Sequence, residues 1–173
     1  MFILERNALV DDTIVEGLSR LIRLEHPAAI GLESPTLRFY NVMRKAEVLN
    51  NHGIAHIYHN GRNHFVSAVQ TCAEYVEFCN SIYDKKPSPP TPKVLEQMKL
   101  NFKIRDKKGR LPIRSYSVQK QSPGNLDCGI YSAVNTWLLL SHVDPGKFEV
   151  DEKSLRSKVL SSFCSNGILQ LTN

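Results

Sequence analysis

The 173-residue sequence has no apolar run of the roughly 20 residues that a membrane span requires; the patch Trp137 to Leu140 is far too short. Its first ten residues, MFILERNALV, break an apolar start with Glu5, Arg6 and Asn7, so neither the basic flank nor the long apolar core of a secretory signal is present. Cysteine is sparse. The four thiols, at 72, 79, 128 and 164, form no CxxC pair and no dense framework, which suits a reducing compartment, and an intracellular protein of nucleus or cytoplasm is expected. Neither GxGxxG nor GxxxxGK[ST] occurs, which excludes the common nucleotide-binding loops. There are no internal repeats. The formal charge of +5 points to an acidic partner or surface without naming it. Much of the excess lies in KIRDKKGRLPIR, Lys103 to Arg114, which reads first as a solvated turn and next as a contact to an acidic protein. No zinc finger, RNA-binding aromatic signature or helix-turn-helix supports nucleic acid, so neither nucleic acid nor membrane is an expected partner.

What is present suits one domain over residues 1–173, with 42% hydrophobic and 23% charged residues. LVDDTIVEGLSRLIRL offers Asp11 or Asp12 as a helix cap, then Ile14, Leu18, Leu21 and Ile22 at helical spacing. A less regular segment follows around Leu37 to Leu49. IAHIYHN and NHFVSAVQ read as two strands with the Asn60-Gly61 pair near their turn, and EYVEFCNSI as a third strand stopped by KKPSPPTP. PKVLEQMKLNF predicts a helix with proline in its first turn, and RSYSVQKQ a strand. The helix opened by Cys128 places Ile130, Ala133, Val134, Trp137 and Leu138 on one buried stripe, and DEKSLRSKVLSSF forms the last helix. This order implies an α+β domain, a sheet flanked by helices.

Cys128 stands out because a helix start is usually solvated and its free N–H groups attract negative charge, which favours the nucleophilic thiolate. The bland alternative is a small buried hydrophobe. A thiol nucleophile needs a base and a group that orients it. Four of the six histidines, at 52, 56, 59 and 64, fall within thirteen residues. Zinc is a poor fit there: no cysteine or acid shares the cluster at ligand spacing, and strand alternation turns His56 and His59 apart. No metal or cofactor is expected. His64 differs from the others in opening an apolar strand, where burial beside a thiol could tune its pKa.

His64-Phe65-Val66 at a strand start, then FCNSI, then a helix, then Gln121 followed by DCG, resembles the SUMO-specific (Ulp-type) cysteine proteases and the adenoviral protease clan. LVDDTIVEGL is similar to that family's WLND[ST]xI helix start, so the resemblance runs from about Leu9 to Phe163. It implies a papain-like, adenain-like domain: a central mixed sheet flanked by helices, with the nucleophile at the N-terminus of a buried helix. It also implies Cys128 as nucleophile, His64 as base and Gln121 as oxyanion donor, the second donor being the Cys128 backbone N–H. Six residues separate Gln121 from Cys128, a spacing closer to the adenoviral one, and Gln119 is the alternative. Asn80 stands where the family usually has aspartate; it can orient an imidazole as asparagine does in papain-like triads, and Asp84 competes. Leu9 and Phe65 match the two tryptophans that hold a Gly-Gly tail, and Asp11 falls in the same substrate-side segment. Leucine in place of an aromatic lid loosens the selection for glycine.

The resemblance therefore implies a monomeric thiol peptidase or isopeptidase that cleaves after the C-terminal Gly-Gly of a ubiquitin-like modifier, SUMO-like or ubiquitin. Three other readings use the same residues: a polyprotein-processing protease, an acetyltransferase, and a modifier-binding domain with an impaired triad.

Overall fold

The computed structural model describes residues 8–32, 53–82 and 88–165. The segment around Leu37 to Leu49 and Asp84 lie outside these residues. Helix α1, Asp12–Glu25, starts where Asp11 accepts a hydrogen bond from the Ile14 N–H at 3.1 Å, which selects Asp11 over Asp12 as the cap. Strands β1, Ile54–His59, and β2, Phe65–Gln70, form an antiparallel hairpin with His59 opposite Phe65. Its turn places Gly61 at φ 85° and Asn63 at φ 53°, residue types that tolerate the left-handed region. Strand β3, Val76–Cys79, pairs antiparallel with β2, and β4, Ile113–Ser115, pairs parallel with β3, giving the sheet order β1-β2-β3-β4.

Helices cover both sheet faces. Helix α2, Pro92–Asn101, is capped by Thr91 and packs Val94 and Met98, with Phe102 beyond its end, against Ile54, Tyr58, Val66, Ala68, Val76 and Phe78. On the other face, Ala55, Ile57, Phe65, Val69 and Cys79 meet helix α3, Cys128–Leu140. Helix α1 and the last helix α4, Glu152–Ser165, complete that layer, joined to α3 through a short 3-10 turn, Pro145–Lys147. This is why β2 is buried at all six positions: both of its faces are covered.

Three expectations change. The strand read in RSYSVQKQ is short, Ile113–Ser115: the Tyr116 N–H still bonds the Phe78 carbonyl at 2.9 Å, and further on Gln119 bonds Val150 through its side chain. The third strand is likewise shorter than EYVEFCNSI, ending at Cys79. Helix α3 is buried all round and not along one stripe; of its residues only Trp137 is part-exposed, and its indole N–H donates to Glu25 at 2.7 Å. A helix wrapped on every side matches its run of apolar and small residues.

The first turn of α3 is packed unusually closely. A Cβ added at Gly129 would lie 2.7 Å from both Val10 Cγ1 and Val15 Cγ2, and 3.4 Å from Phe65 Cδ2. The glycine after Cys128 is therefore a packing requirement: it lets α1 and its leading segment close over the helix start. Gly129→Ala should cost about 1–3 kcal/mol as an overpacking change. Thermal unfolding should register this as a midpoint several degrees lower, and an unchanged midpoint would show that Val10 and Val15 are free to move aside.

Candidate active site

The residues singled out in sequence converge where β2 begins and β3 ends. Extending the β2–β3 register by one residue sets Asn80 opposite Val66 and puts His64 on its diagonal, within side-chain reach. There His64 Nε2 and Asn80 Oδ1 are 2.8 Å apart. Asn80 Oδ1 also accepts the Ile82 backbone N–H at 3.0 Å. A backbone N–H can only donate, so the amide atom facing His64 is the oxygen, and Nε2 must carry the imidazole proton. That leaves Nδ1 as the free acceptor of the ring, the atom a base needs.

Cys128 meets this segment from the helix side. Its sulfhydryl faces the Asn63 carbonyl at 3.8 Å, and the Phe65 N–H stabilises its ionised form. Both chain neighbours of His64 thus touch the sulfur through their backbones. The Cys128 thiol is nonetheless pushed above its ordinary value: burial is the largest influence, and it outweighs the N–H groups of Phe65, Gly129 and Cys128 itself, while the Asp127 carboxylate adds to the rise. The expectation that the helix start lowers the thiol is corrected here, since this helix start is not solvated; Cys128 is only 3% exposed. His64 is shifted the opposite way. Burial lowers it, the Asn80 hydrogen bond partly restores it, and the positive charges of His59 and Lys120 lower it further. Both shifts favour the uncharged form, a thiol at Cys128 and a neutral imidazole at His64.

The two glutamines separate clearly. Gln119 exchanges hydrogen bonds with the Val150 backbone, donating to its carbonyl at 3.0 Å and accepting its N–H at 2.5 Å. Gln121 pairs its backbone N–H with the Ser81 carbonyl at 3.0 Å, beside Asn80, and its side-chain Nε2 is buried without an acceptor among the described residues. Lys120 reinforces the same junction by donating to the Asn80 carbonyl at 2.9 Å. A buried amide N–H without a partner is costly unless something else supplies the acceptor. Of the expected substrate-side residues, Leu9 is 39% exposed, and its neighbour Val10 bonds the Leu126 carbonyl in the loop before Cys128. Asp11 serves as the α1 cap. Phe65 is buried against the α3 start and meets the His59 ring edge-on. Among the described residues no three His, Cys, Asp or Glu side chains are grouped so as to hold a metal ion. His56 instead stacks on Tyr58 and meets Phe102 edge-on.

Sequence reading missed the ionic partner of the acid in DCG. Asp127 is bound by Arg156 of α4 through Nε at 2.7 Å and Nη2 at 2.6 Å, and Arg156 also holds the Ala8 carbonyl at 2.5 Å. No local pattern announces a contact spanning 29 residues.

The fold is that of the catalytic domains of Ulp-type SUMO proteases. A structure of the SUMO protease Ulp1 with its catalytic cysteine oxidised to a sulfenic acid aligns with a TM-score of 0.70 at 16% identity, over 95% of this chain and 81% of that one. The Ulp1 protease domain in complex with Smt3, the yeast ortholog of SUMO, gives 0.70 at 16% identity over 95% and 80%. The Ulp1-like SUMO protease catalytic domain of Chaetomium thermophilum gives 0.59 at 18% over 93% and 74%. No protein-family model and no curated protein matches the sequence. The TM-scores, not the identities, establish the shared fold.

The raised thiol has a direct chemical consequence. Alkylation of Cys128 by iodoacetamide, followed on its own peptide by mass spectrometry, should climb from about pH 6 to about pH 9, because only the thiolate reacts. A rate already level near about pH 6 would instead reveal a preformed thiolate–imidazolium pair.

Proposed function

We propose that this chain is a cysteine peptidase or isopeptidase acting on the C-terminal Gly-Gly of a ubiquitin-like modifier, with SUMO-like proteins and ubiquitin as the substrate classes. The observation that carries the proposal is the tautomer-locked imidazole, His64 Nε2 on Asn80 Oδ1, in a segment whose backbone touches the thiol at the start of α3. The orphaned Gln121 amide supports it, since an oxyanion is the acceptor that amide lacks. The Ulp-type fold supports it independently, and one structure of that fold is a complex with a SUMO ortholog.

In this reading Cys128 passes its proton to His64 Nδ1 as the sulfur attacks the carbonyl of the terminal glycine. Negative charge moves onto the carbonyl oxygen, where Gln121 Nε2 and the Cys128 backbone N–H receive it. The imidazolium then protonates the departing amine, the C–N bond breaks and a thioester remains. Water, deprotonated by His64, attacks the thioester and releases the modifier with the thiol restored. Asn80 holds the ring in the required tautomer throughout, by hydrogen bonding and without adding a negative charge. In the same reading Leu9, exposed next to Val10, which bonds the Leu126 carbonyl, lines the path of the tail.

The test uses ubiquitin and SUMO probes that carry a thiol-reactive group at the C-terminus. Wild-type protein should form a covalent adduct with at least one of them, and Cys128→Ala should form none while retaining its fold. Non-covalent binding without adduct would identify a modifier-binding domain, and no interaction with any probe would overturn the modifier reading.

A further inference from the structure

Residues 122–127, which lead from Gln121 into Cys128, form no helix or strand, and Gly124 among them has φ 80°. Such a loop would not by itself hold a side chain to the tolerance an oxyanion donor needs, where a displacement of about 1 Å can cost about 10² in rate. One short stretch, Val150 through the second turn of α4, grips it repeatedly. Glu152 is the centre of that grip. Its Oε1 accepts the backbone N–H of Ser122 at 3.1 Å and the buried hydroxyl of Tyr131, in the first turn of α3, at 2.7 Å. Asn125 also bonds the carboxylate. On either side, Gln119 is paired with Val150, and Asp127 with Arg156.

The contacts form a ladder: 119 to 150, 122 to 152, and 127 to 156. Two rungs hold the Gln121–Cys128 connection itself and the third holds Gln119 just ahead of it, all to the same stretch of chain. Glu152 suits its place on two further grounds. As the first residue of α4 its negative charge is stabilised by the free N–H groups of that helix. Although burial works against ionisation, the hydrogen bonds from Ser122, Tyr131 and Asn125 hold its carboxyl below the ordinary glutamate value. It is therefore a charged acceptor at neutral pH, stronger than a neutral one.

We infer that the start of α4 is a brace for the oxyanion side of the site, and that Glu152 is a positioning residue that acts through Gln121 by fixing the adjacent Ser122 backbone. The effect on catalysis rests on the protease reading; the effect on the loop rests on the geometry alone.

The experiment compares Gln121→Ala, Glu152→Ala, the double variant and Glu152→Gln in kcat and KM on a modifier-derived substrate, together with hydrogen exchange at the Ser122 amide. Glu152→Ala should lower kcat by about ten-fold or more with KM within about two-fold, since the brace serves the transition state and not binding. The double variant should be no worse than Gln121→Ala within about two-fold, because two residues acting through one interaction do not contribute independently. Glu152→Gln, whose amide oxygen can accept both the Ser122 N–H and the Tyr131 hydroxyl, should restore most of kcat. Ser122 exchange should quicken in Glu152→Ala. Where Glu152→Ala melts below the assay temperature, Tyr131→Phe, which keeps the buried ring and removes only the hydroxyl anchor, replaces it in the same comparison. Losses that multiply in the double variant, or unchanged Ser122 exchange, overturn the brace. Absence of turnover by the wild-type protein contradicts the protease reading instead, and the exchange measurement still decides the brace.

Discussion

A helix that begins inside the protein, not at its surface, is the constraint on which the rest of this structure depends. Gly129 has no Cβ where one would collide with Val10 and Val15, so α1, its leading segment and β2 close around the first turn of α3. The remaining α3 positions are small or apolar enough for the whole helix to be enclosed between the sheet and the outer helices. Packing of this kind fixes where the sulfur of Cys128 sits. It also removes the water that normally stabilises charge at a helix N-terminus, and burial then outweighs three converging backbone N–H groups.

The electrostatic character of the site follows from that enclosure. Burial raises the Cys128 thiol and lowers the His64 imidazole, so each favours its uncharged form, and an asparagine orients the ring without supplying a full negative charge. Neighbouring charges reinforce the arrangement. Lys120 and His59 disfavour an imidazolium, and the Asp127 carboxylate, although paired with Arg156, disfavours the thiolate. An aspartate at position 80 would pull the other way, because a carboxylate beside the ring favours its charged form. The amide at position 80 and the dry helix start therefore act in the same direction, toward an uncharged thiol and an uncharged imidazole.

Local features were legible where local chemistry decides them. An α1 cap at Asp11 or Asp12, the Asn60-Gly61 turn, the proline-led α2 and the helix starting at Cys128 all follow from short-range rules. His64 and Asn80, sixteen residues apart, could be paired from sequence only through a family resemblance; strand register supplies the physical reason for their meeting. Other features depend on contacts that no window of sequence contains. Gln119 and Gln121 look alike in a strand pattern, and Val150, about thirty residues later, separates them by binding the Gln119 side chain and not the Gln121 amide N–H. Arg156 and Glu152 lie in what reads as an ordinary amphipathic helix, yet their partners are Asp127 and Ser122. The helix start alone misleads about the thiol because solvation there is set by Val10, Val15 and Phe65, which come from the segment before α1, from α1 and from β2.

The most direct test of this account is the titration of the His64 ring by NMR, with its resonance assigned through His64→Gln. The account predicts a midpoint below the ordinary histidine value of 6.5 in the wild-type protein, since burial and the neighbouring positive groups outweigh the Asn80 hydrogen bond. In Asn80→Asp the midpoint should move upward, because the new carboxylate stabilises the imidazolium, whereas Asp84→Ala should leave it in place. A wild-type midpoint above 6.5, or a midpoint indifferent to Asn80→Asp and sensitive to Asp84→Ala, would contradict the neutral imidazole held by Asn80.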